Sequence, residues 1–446
     1  MRTMRIGTWV IVIFILAAML GMTTVIAQGQ APVAQDGAQT ANVVRYSYWE
    51  TEPNNSRGQA RVIQLGDVVG GSFNPNNDVD YFKFHVPNWG TKILIDGDKV
   101  TPLVDHEITL YREDGTVLNS DNSSGFPALL YQVLDKGWYY LKVENDNYND
   151  WCTDTCSYQV MVTSPLLISA AAPNLGRATV DGIRFGAQDV LAFSFLTNDY
   201  QGHAQHKWNM FLNATAAGFT TQIVNISTGY ANPYDEMPTS SLAVTFGSSQ
   251  SVDGWGGGDQ VASPWDWVIL EVFSVGDNTW YYSDQSQILP GGYHGLTTLA
   301  ERPDALVYQD LDPLAGTSHD VWFSTIGNGA VPKAGGGNLK VADEDLFRSD
   351  FGGSLPWTST MEFDGSRFTG LAAEDIVAAD LNTDDRDALY LTILGTGTIL
   401  GHRVTQKDIF AFQYGATDWG WDRIVWHGPD YGWYYNIDAF DWPDDR

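Results

Sequence analysis

The chain has 446 residues, more than one ordinary core organises, so two domains, or one large all-β domain, are expected. Its 54 acidic residues outnumber 24 basic ones, for a formal charge of −30, and this excludes nucleic acid as a partner, since binding it relies on clustered Lys and Arg. Such an acidic surface suits a salty or calcium-containing medium, and it serves solubility equally well.

Residues 1–27 read as a secretory signal, with Arg2 and Arg5 in a basic start, an apolar stretch over 6–21 and a small-residue cleavage site ending at Ala27. Its removal leaves a charge of 22 − 54 = −32. The apolar stretch is short for a membrane-spanning helix and nothing after it resembles one, so no stable membrane insertion is expected after cleavage. Residues 28–45, rich in Ala, Gln and Gly without an apolar period, read as a flexible linker.

From Tyr46 to about Thr163, short apolar alternations separated by Asn, Asp, Gly and Pro predict antiparallel strands, clearest in "DYFKFHV", "KILIDG", "EITLYRED", "GWYYLKVEND" and "SYQVMVT". The two cysteines, Cys152 and Cys156, read as a disulfide across a hairpin loop, because no other Cys or nearby His completes a zinc set.

The segments "ETEPNNSRGQARVIQLGDVVGGSF", "DVDYFKFHV", "ITLYREDGTVLNSDNSSG", "LDKGWYYLKVEN" and "SYQVMV" follow one another in the order of a known family. Over residues 46–164 the chain resembles the bacterial pre-peptidase C-terminal domain, a β-sandwich related to the collagen-binding domains of clostridial collagenases. In those relatives acids and amides of the linker end and of the D-x-D-x-F strand bind calcium. The resemblance therefore implies a calcium site from Glu50, Glu52, Asn54, Asp78 and Asp80, with Asn77 a weaker member. Hard oxygen ligands suit calcium, and packed carboxylates repel unless a cation joins them. The alternative is a plain turn at Asn54 and Asn55 with solvated acids.

Residues 165–175 are expected to connect to a second domain, 176–446, whose mark is repetition. Strands led by Asp189, Asp266, Asp345 and Asp408 recur at intervals of 77, 79 and 63 residues. A tryptophan follows each, at Trp208, Trp280, Trp357 and Trp421, and then a glycine turn, at Gly218, Gly295, Gly370 and Gly432. Three markers in step indicate four units of about four strands. The last unit has no room for its closing strand, and "RATVDGIRF" (177–185) is expected to fill that place, making a closed propeller-like ring. An open pair of packed sheets is the alternative. The segment "MEFDGSRFTGL" resembles a repeat of uncharacterised secreted bacterial proteins, which implies no activity.

No H-E-x-x-H, G-x-S-x-G or phosphate-binding glycine loop is present, so no catalytic residue is assigned. The four repeat aspartates are expected to cap turns, and the four repeat tryptophans to pack in cores. In "WHGPDYGWYY", Trp426, Tyr431 and Trp433 are candidates either for stacking on a ligand or for the core. The expected function is non-catalytic binding or adhesion outside the cell, to polysaccharide or protein. A hydrolase with an acidic site in the repeat domain, and a purely structural role, are the alternatives.

Overall fold

The computed structural model describes residues 46–443 except 74–77, 89, 100–105, 122–127, 146–155, 172–177, 200, 214–218, 220, 230–240, 255–257, 265, 276–278, 283–286, 290–295, 297–301, 311–318, 334, 351–355, 382–387 and 416–417. The expected signal, the linker, Asn77, Cys152, Gly218 and Gly295 lie outside the described residues, and with Cys152 lies the expected disulfide.

Residues 46–164 form a sandwich of two five-stranded sheets. One orders β1 (Tyr48–Trp49), β3 (Val68–Phe73), β10 (Cys156–Thr163), β5 (Thr91–Lys99) and β8 (Ala128–Leu134). The other orders β2 (Arg61–Val62), β4 (Val79–Val86), β9 (Gly137–Asn145), β6 (His106–Arg112) and β7 (Val117–Asp121). Alternation decides the faces: Phe82, Phe84 and Val86 of β4 enter a core with Ile93, Leu110, Leu141 and Val160, while Tyr81, Lys83 and His85 turn outward. Strand β8 is buried along its whole length because Leu129, Tyr131 and Val133 join a second core with residues beyond 165.

The segment expected as a connector is itself a strand, β11 (Leu166–Ala171). Its run "LLISAA" carries no turn residue, and Leu166, Leu167 and Ile168 are wholly buried, as in a strand covered on both faces. It pairs with β14 (Val190–Leu196) and with the last strand, β35 (Asn436–Asp441). This corrects the expected partner of 436–442, which was 177–185: residues 178–185 instead fold on themselves as a ribbon of β12 (Ala178–Val180) and β13 (Ile183–Phe185), turning at Asp181 and Gly182 with positive φ.

Four sheets carry the repeat. The first orders β16 (Ile223–Gly229), β17 (Ser241–Phe246), β20 (Trp267–Val275) and β21 (Thr279–Tyr282), with β22 (Gln287–Leu289) also on β20. The second orders β23 (Pro303–Asp310), β24 (His319–Thr325), β27 (Leu346–Asp350) and β28 (Ser359–Phe363). The third orders β29 (Ile376–Leu381), β30 (Ala388–Ile393), β33 (Asp408–Tyr414) and β34 (Trp419–His427). The fourth orders β35, β11, β14 and β15 (Gln205–Leu212), combining both ends of the repeat region. A two-stranded ribbon precedes each Asp-led strand: β12–β13, β18 (Gln250–Gly254) with β19 (Gly258–Ala262), β25 (Gly329–Pro332) with β26 (Asn338–Val341), and β31 (Thr396–Ile399) with β32 (His402–Thr405).

The repeat aspartates cap turns as expected. The carboxylates of Asp189, Asp266, Asp345 and Asp408 accept the backbone N–H three residues earlier, from Gly186 at 2.7 Å, Ser263 at 2.8 Å, Ala342 at 3.2 Å and Thr405 at 2.7 Å. Each ties the end of a ribbon to the strand that follows.

First strands pack against one another, β16 on β23, β23 on β29, β29 on β35 and β35 on β16. The spaces between successive sheets hold separate apolar clusters, for example Leu306 with Ala243, Leu391 with Val307, and Trp426 with Phe193.

Sandwich and repeat are joined by polar and aromatic contacts. Lys207 on β15 meets Asp96 at 2.7 Å and Asp98 at 2.6 Å on β5, Thr163 and Ser194 hydroxyls lie 3.0 Å apart, and Tyr131 meets Phe211 edge to face.

Candidate functional site

The end of β1, the following turn and the start of β4 bring Glu50, Glu52, Asn54, Asp78 and Asp80 together at one end of the sandwich. Glu50 Oε1 accepts the Ser72 N–H at 2.5 Å, and its Oε2 accepts the Tyr158 hydroxyl at 2.8 Å and Asn54 Nδ2 at 3.3 Å. The same hydroxyl lies 2.7 Å from Asp80 Oδ2. A phenol has one hydrogen to donate, so it satisfies one of these two carboxylates at a time. Carboxylate oxygens of Glu50, Glu52 and Asp80 all lie within 4.8 Å of one another.

Burial raises the Asp80 carboxyl to about 8, with the Glu50 charge adding to it. Burial likewise raises Glu52, with Asp78 and Glu50 adding to it and the Asn54 N–H, which it accepts at 2.9 Å, opposing. Asn54 Oδ1 and Asp80 Oδ1 are buried without a hydrogen-bond partner. Two orphaned acceptors beside three crowded carboxylates make a donor set of oxygens only, the kind a hard divalent cation accepts. The packing depends on Gly71, where an added Cβ would stand 2.4 Å from the Tyr158 hydroxyl oxygen and 2.7 Å from Glu50 Oε2.

Asp78 plays a different part from the trio. Its Oδ1 accepts Asn55 Nδ2 at 2.7 Å and the Val79 N–H at 3.0 Å, fastening the turn to β4. The Tyr81 N–H donates to the Asn54 carbonyl at 2.9 Å, completing that attachment. Asn55, read from sequence only as a turn residue, is the side chain that joins the two segments.

The outer face of the second sandwich sheet carries a strip of rings and cations. Register places Lys83 opposite Tyr140, His85 opposite Trp138, and Tyr111 opposite Tyr140. Lys83 Nζ lies 4.7 Å from the Trp138 ring centre and 5.0 Å from that of Tyr140, and Tyr81 stands 6.5 Å from Tyr111. The odd-numbered residues of "DYFKFHV" (Tyr81, Lys83, His85) and the even-numbered residues of "GWYYLKV" (Trp138, Tyr140, Lys142) announce this face in the sequence. Their adjacency needs the register.

Trp426, Tyr431 and Trp433 do not form an exposed stacking surface. Trp426 and Trp433 are 1 % and 0 % exposed, Trp433 stacks on Trp208 at 5.4 Å, and Trp426 lies parallel to Tyr431 at 6.0 Å. The repeat explains Trp433: it follows Gly432 as Leu371 follows Gly370, and Phe219 and Leu296 at the matching places are buried too. Of the repeat tryptophans, Trp208 and Trp357 are buried and Trp421 packs partly covered against the core of the third sheet.

No family model and no curated protein matches the chain. The chain is similar to a pre-peptidase C-terminal domain. The solved domain is that of a Bacillus anthracis collagenase, at 18 % identity and a TM-score of 0.21, covering 26 % of this chain and all of that one. A Eubacterium rectale protein described as secreted is similar over 50 % of this chain and 75 % of its own, at 10 % identity and a TM-score of 0.20. The BSP domain of a biofilm-associated protein follows at 10 % identity and a TM-score of 0.11, over 71 % of this chain and 68 % of its own. Among the described residues no helix is long and apolar enough to cross a membrane.

Proposed function

We propose that this is a secreted, non-catalytic binding protein whose sandwich grips an extracellular polysaccharide through its outer aromatic face and is steadied by calcium at Glu50, Glu52, Asn54, Asp78 and Asp80. The observation that carries the binding reading is the strip of Tyr81, Lys83, His85, Tyr111, Trp138 and Tyr140 on the outer face of one sheet. Ring faces stack on the C–H faces of sugars, and Lys83, whose ammonium pairs with Glu113 at 3.5 Å, holds the rings of Trp138 and Tyr140 in place. The reading of residues 1–27 as a secretory signal supports an extracellular site of action.

Calcium is supported by the orphaned Asn54 and Asp80 oxygens and by the all-oxygen donor set. Bound there, it supplies positive charge between the carboxylates. The protein's own residues hold the turn 50–55 against β3 and β4, so cation affinity and the order of that turn are coupled.

For the repeat half, the reading is a four-unit propeller-like ring in which β35 and β11 bring the chain ends into one sheet. It is supported by the cyclic packing of β16, β23, β29 and β35 and by the apolar clusters between successive sheets.

The test is a glycan and matrix-protein array probed with the full mature chain, wild type and Trp138→Ala. Glycan binding weakened at least tenfold by the substitution is expected. Binding to matrix proteins alone, or glycan binding indifferent to Trp138, would overturn the reading.

A further inference from the structure

The four first strands of the repeat begin alike. In each, pairing with the second strand slips by one residue, between Ile223 and Asn225, Pro303 and Ala305, Ile376 and Ala378, and Ile437 and Ala439. A bulge leaves one residue unpaired and re-aims its side chain, here Val224, Asp304, Val377 and Asp438. Two of the four are acids, and they sit on β23 and β35, strands that are not neighbours in the cyclic packing.

The residues just before the strands add polar groups. Gln222 Nε2 donates to Asp438 Oδ2, linking the start of β16 to β35. Arg302 Nη1 donates to the Gly247 carbonyl at 2.9 Å, while its buried Nε has no partner. Asp304 is 5 % exposed, and its buried carboxyl has Asp375 as its hydrogen-bonding partner. Asp375, before β29, keeps one buried oxygen without a partner, and the Arg302 charge acts on all three acids.

Burial holds Asp304 well above the carboxylate range, Asp438 near 7 and Asp375 near 6. A protonated Asp304 carries no charge and the Arg302 guanidinium offsets one of the other two carboxylates, so the group is far less negative than three bare carboxylates, and the buried Arg302 Nε and one Asp375 oxygen are left without partners. A metal ion fits it poorly. Such an ion wants several oxygens about one point, and among the described residues only Glu50, Glu52 and Asp80 come that close. A neutral ligand rich in hydroxyls, each both donor and acceptor, satisfies both kinds of group.

We propose that the starts of β16, β23, β29 and β35 form a binding site for a sugar unit, with Asp304, Arg302, Asp375, Asp438 and Gln222 bonding to its hydroxyls. The site is independent of the aromatic face of the sandwich, so either can fail alone. Unpaired buried groups make it demanding: a ligand lacking the matching hydroxyl leaves them unsatisfied and is rejected.

The experiment probes an array of neutral hexose, pentose and deoxyhexose oligosaccharides with the full mature chain, then titrates the best binder calorimetrically. Asp438→Asn and Arg302→Met are each expected to weaken binding at least tenfold. Asp438→Asn keeps shape and partial exposure, so it decides the matter if Arg302→Met fails to fold. An absence of oligosaccharide binding, or affinity unchanged in Asp438→Asn, overturns the proposal. So does binding that is lost in Trp138→Ala and retained in Asp438→Asn, which puts the ligand on the sandwich. Calcium-dependent stabilisation that survives Asp80→Asn and disappears in Asp304→Asn would make this a cation site instead.

Discussion

Lys92 Nζ, wholly buried on β5 of the sandwich, donates to Asp441 Oδ1 at 2.7 Å at the end of β35, 349 residues away. It donates also to the Trp442 carbonyl, and the Trp442 N–H in turn donates to Asp380 Oδ2 on β29. One ammonium thus fastens the last strand of the repeat to the first folded part of the chain. Removing one partner of such a pair strands the other charge in the interior. Lys92→Ala is therefore expected to cost about 3–5 kcal/mol, and Lys92→Met with Asp441→Leu to recover most of it. Denaturant melts followed by tryptophan fluorescence measure both.

The turn caps predict a smaller effect. In Asp266→Ala the Ser263 N–H loses its acceptor, for an expected loss of about 1–2 kcal/mol. Asp266→Asn keeps an acceptor oxygen and should lose less. Equal losses would show that the carboxylate's charge, rather than its hydrogen bond, matters there.

Trp433 and Trp138 should behave oppositely. Trp433→Ala empties a core position and is expected to cost about 3–5 kcal/mol. Trp138→Ala, on the outer face, removes only the contacts with Lys83 and His85, for less than about 1 kcal/mol, while polysaccharide binding falls. Thermal melts beside binding assays separate the two.

At the calcium site, millimolar calcium is expected to raise the melting temperature of the mature chain, and Asp80→Asn to abolish the rise. Tyr158→Phe removes the one hydroxyl shared by Glu50 and Asp80. Without calcium it should cost about 1–3 kcal/mol, and the calcium-induced rise should grow. A melting temperature indifferent to calcium and chelator would end the calcium reading.

Asp438 gives a pH signature. Burial raises its folded-state value to about 7, against about 3.9 in an unfolded chain, while the Gln222 amide that donates to it and the Arg302 charge pull the other way. The folded chain therefore holds this proton more tightly. Its contribution to stability is complete below about pH 4 and is lost as pH rises through 7. In Asp438→Asn that loss disappears, so the melting temperature of the variant relative to wild type should climb between pH 4 and 7.5. A constant difference across that range would contradict it.

The alternation in "DYFKFHV" and the spacing of the Asp-led strands were legible because both are local or periodic: side chains on a strand alternate, and a repeat returns the same turn chemistry. The Asp caps followed directly from that spacing. For Trp433 the sequence left core and ligand face both open, and its burial decides for the core, where the glycine turns align it with the buried Phe219, Leu296 and Leu371. The identity of the strand beside β35 was not legible either. Both "LLISAA" and "RATVDGIRF" are apolar enough to be strands, and burial on two faces, which selects the first, is a property of its neighbours.

By itself, then, the sequence determined an all-β chain, the inner and outer faces of its strands, a four-part repeat and a crowd of oxygen side chains before the first long strand. Only the tertiary structure decided which of those oxygens meet, that Tyr158 arrives between Glu50 and Asp80, and that bulges on β23 and β35 set Asp304 and Asp438 among the starts of four strands. The physical reason is that alternation and turn preference act over a few residues. Register and burial instead depend on strands that lie tens to hundreds of residues apart and meet only when the cores between the sheets close.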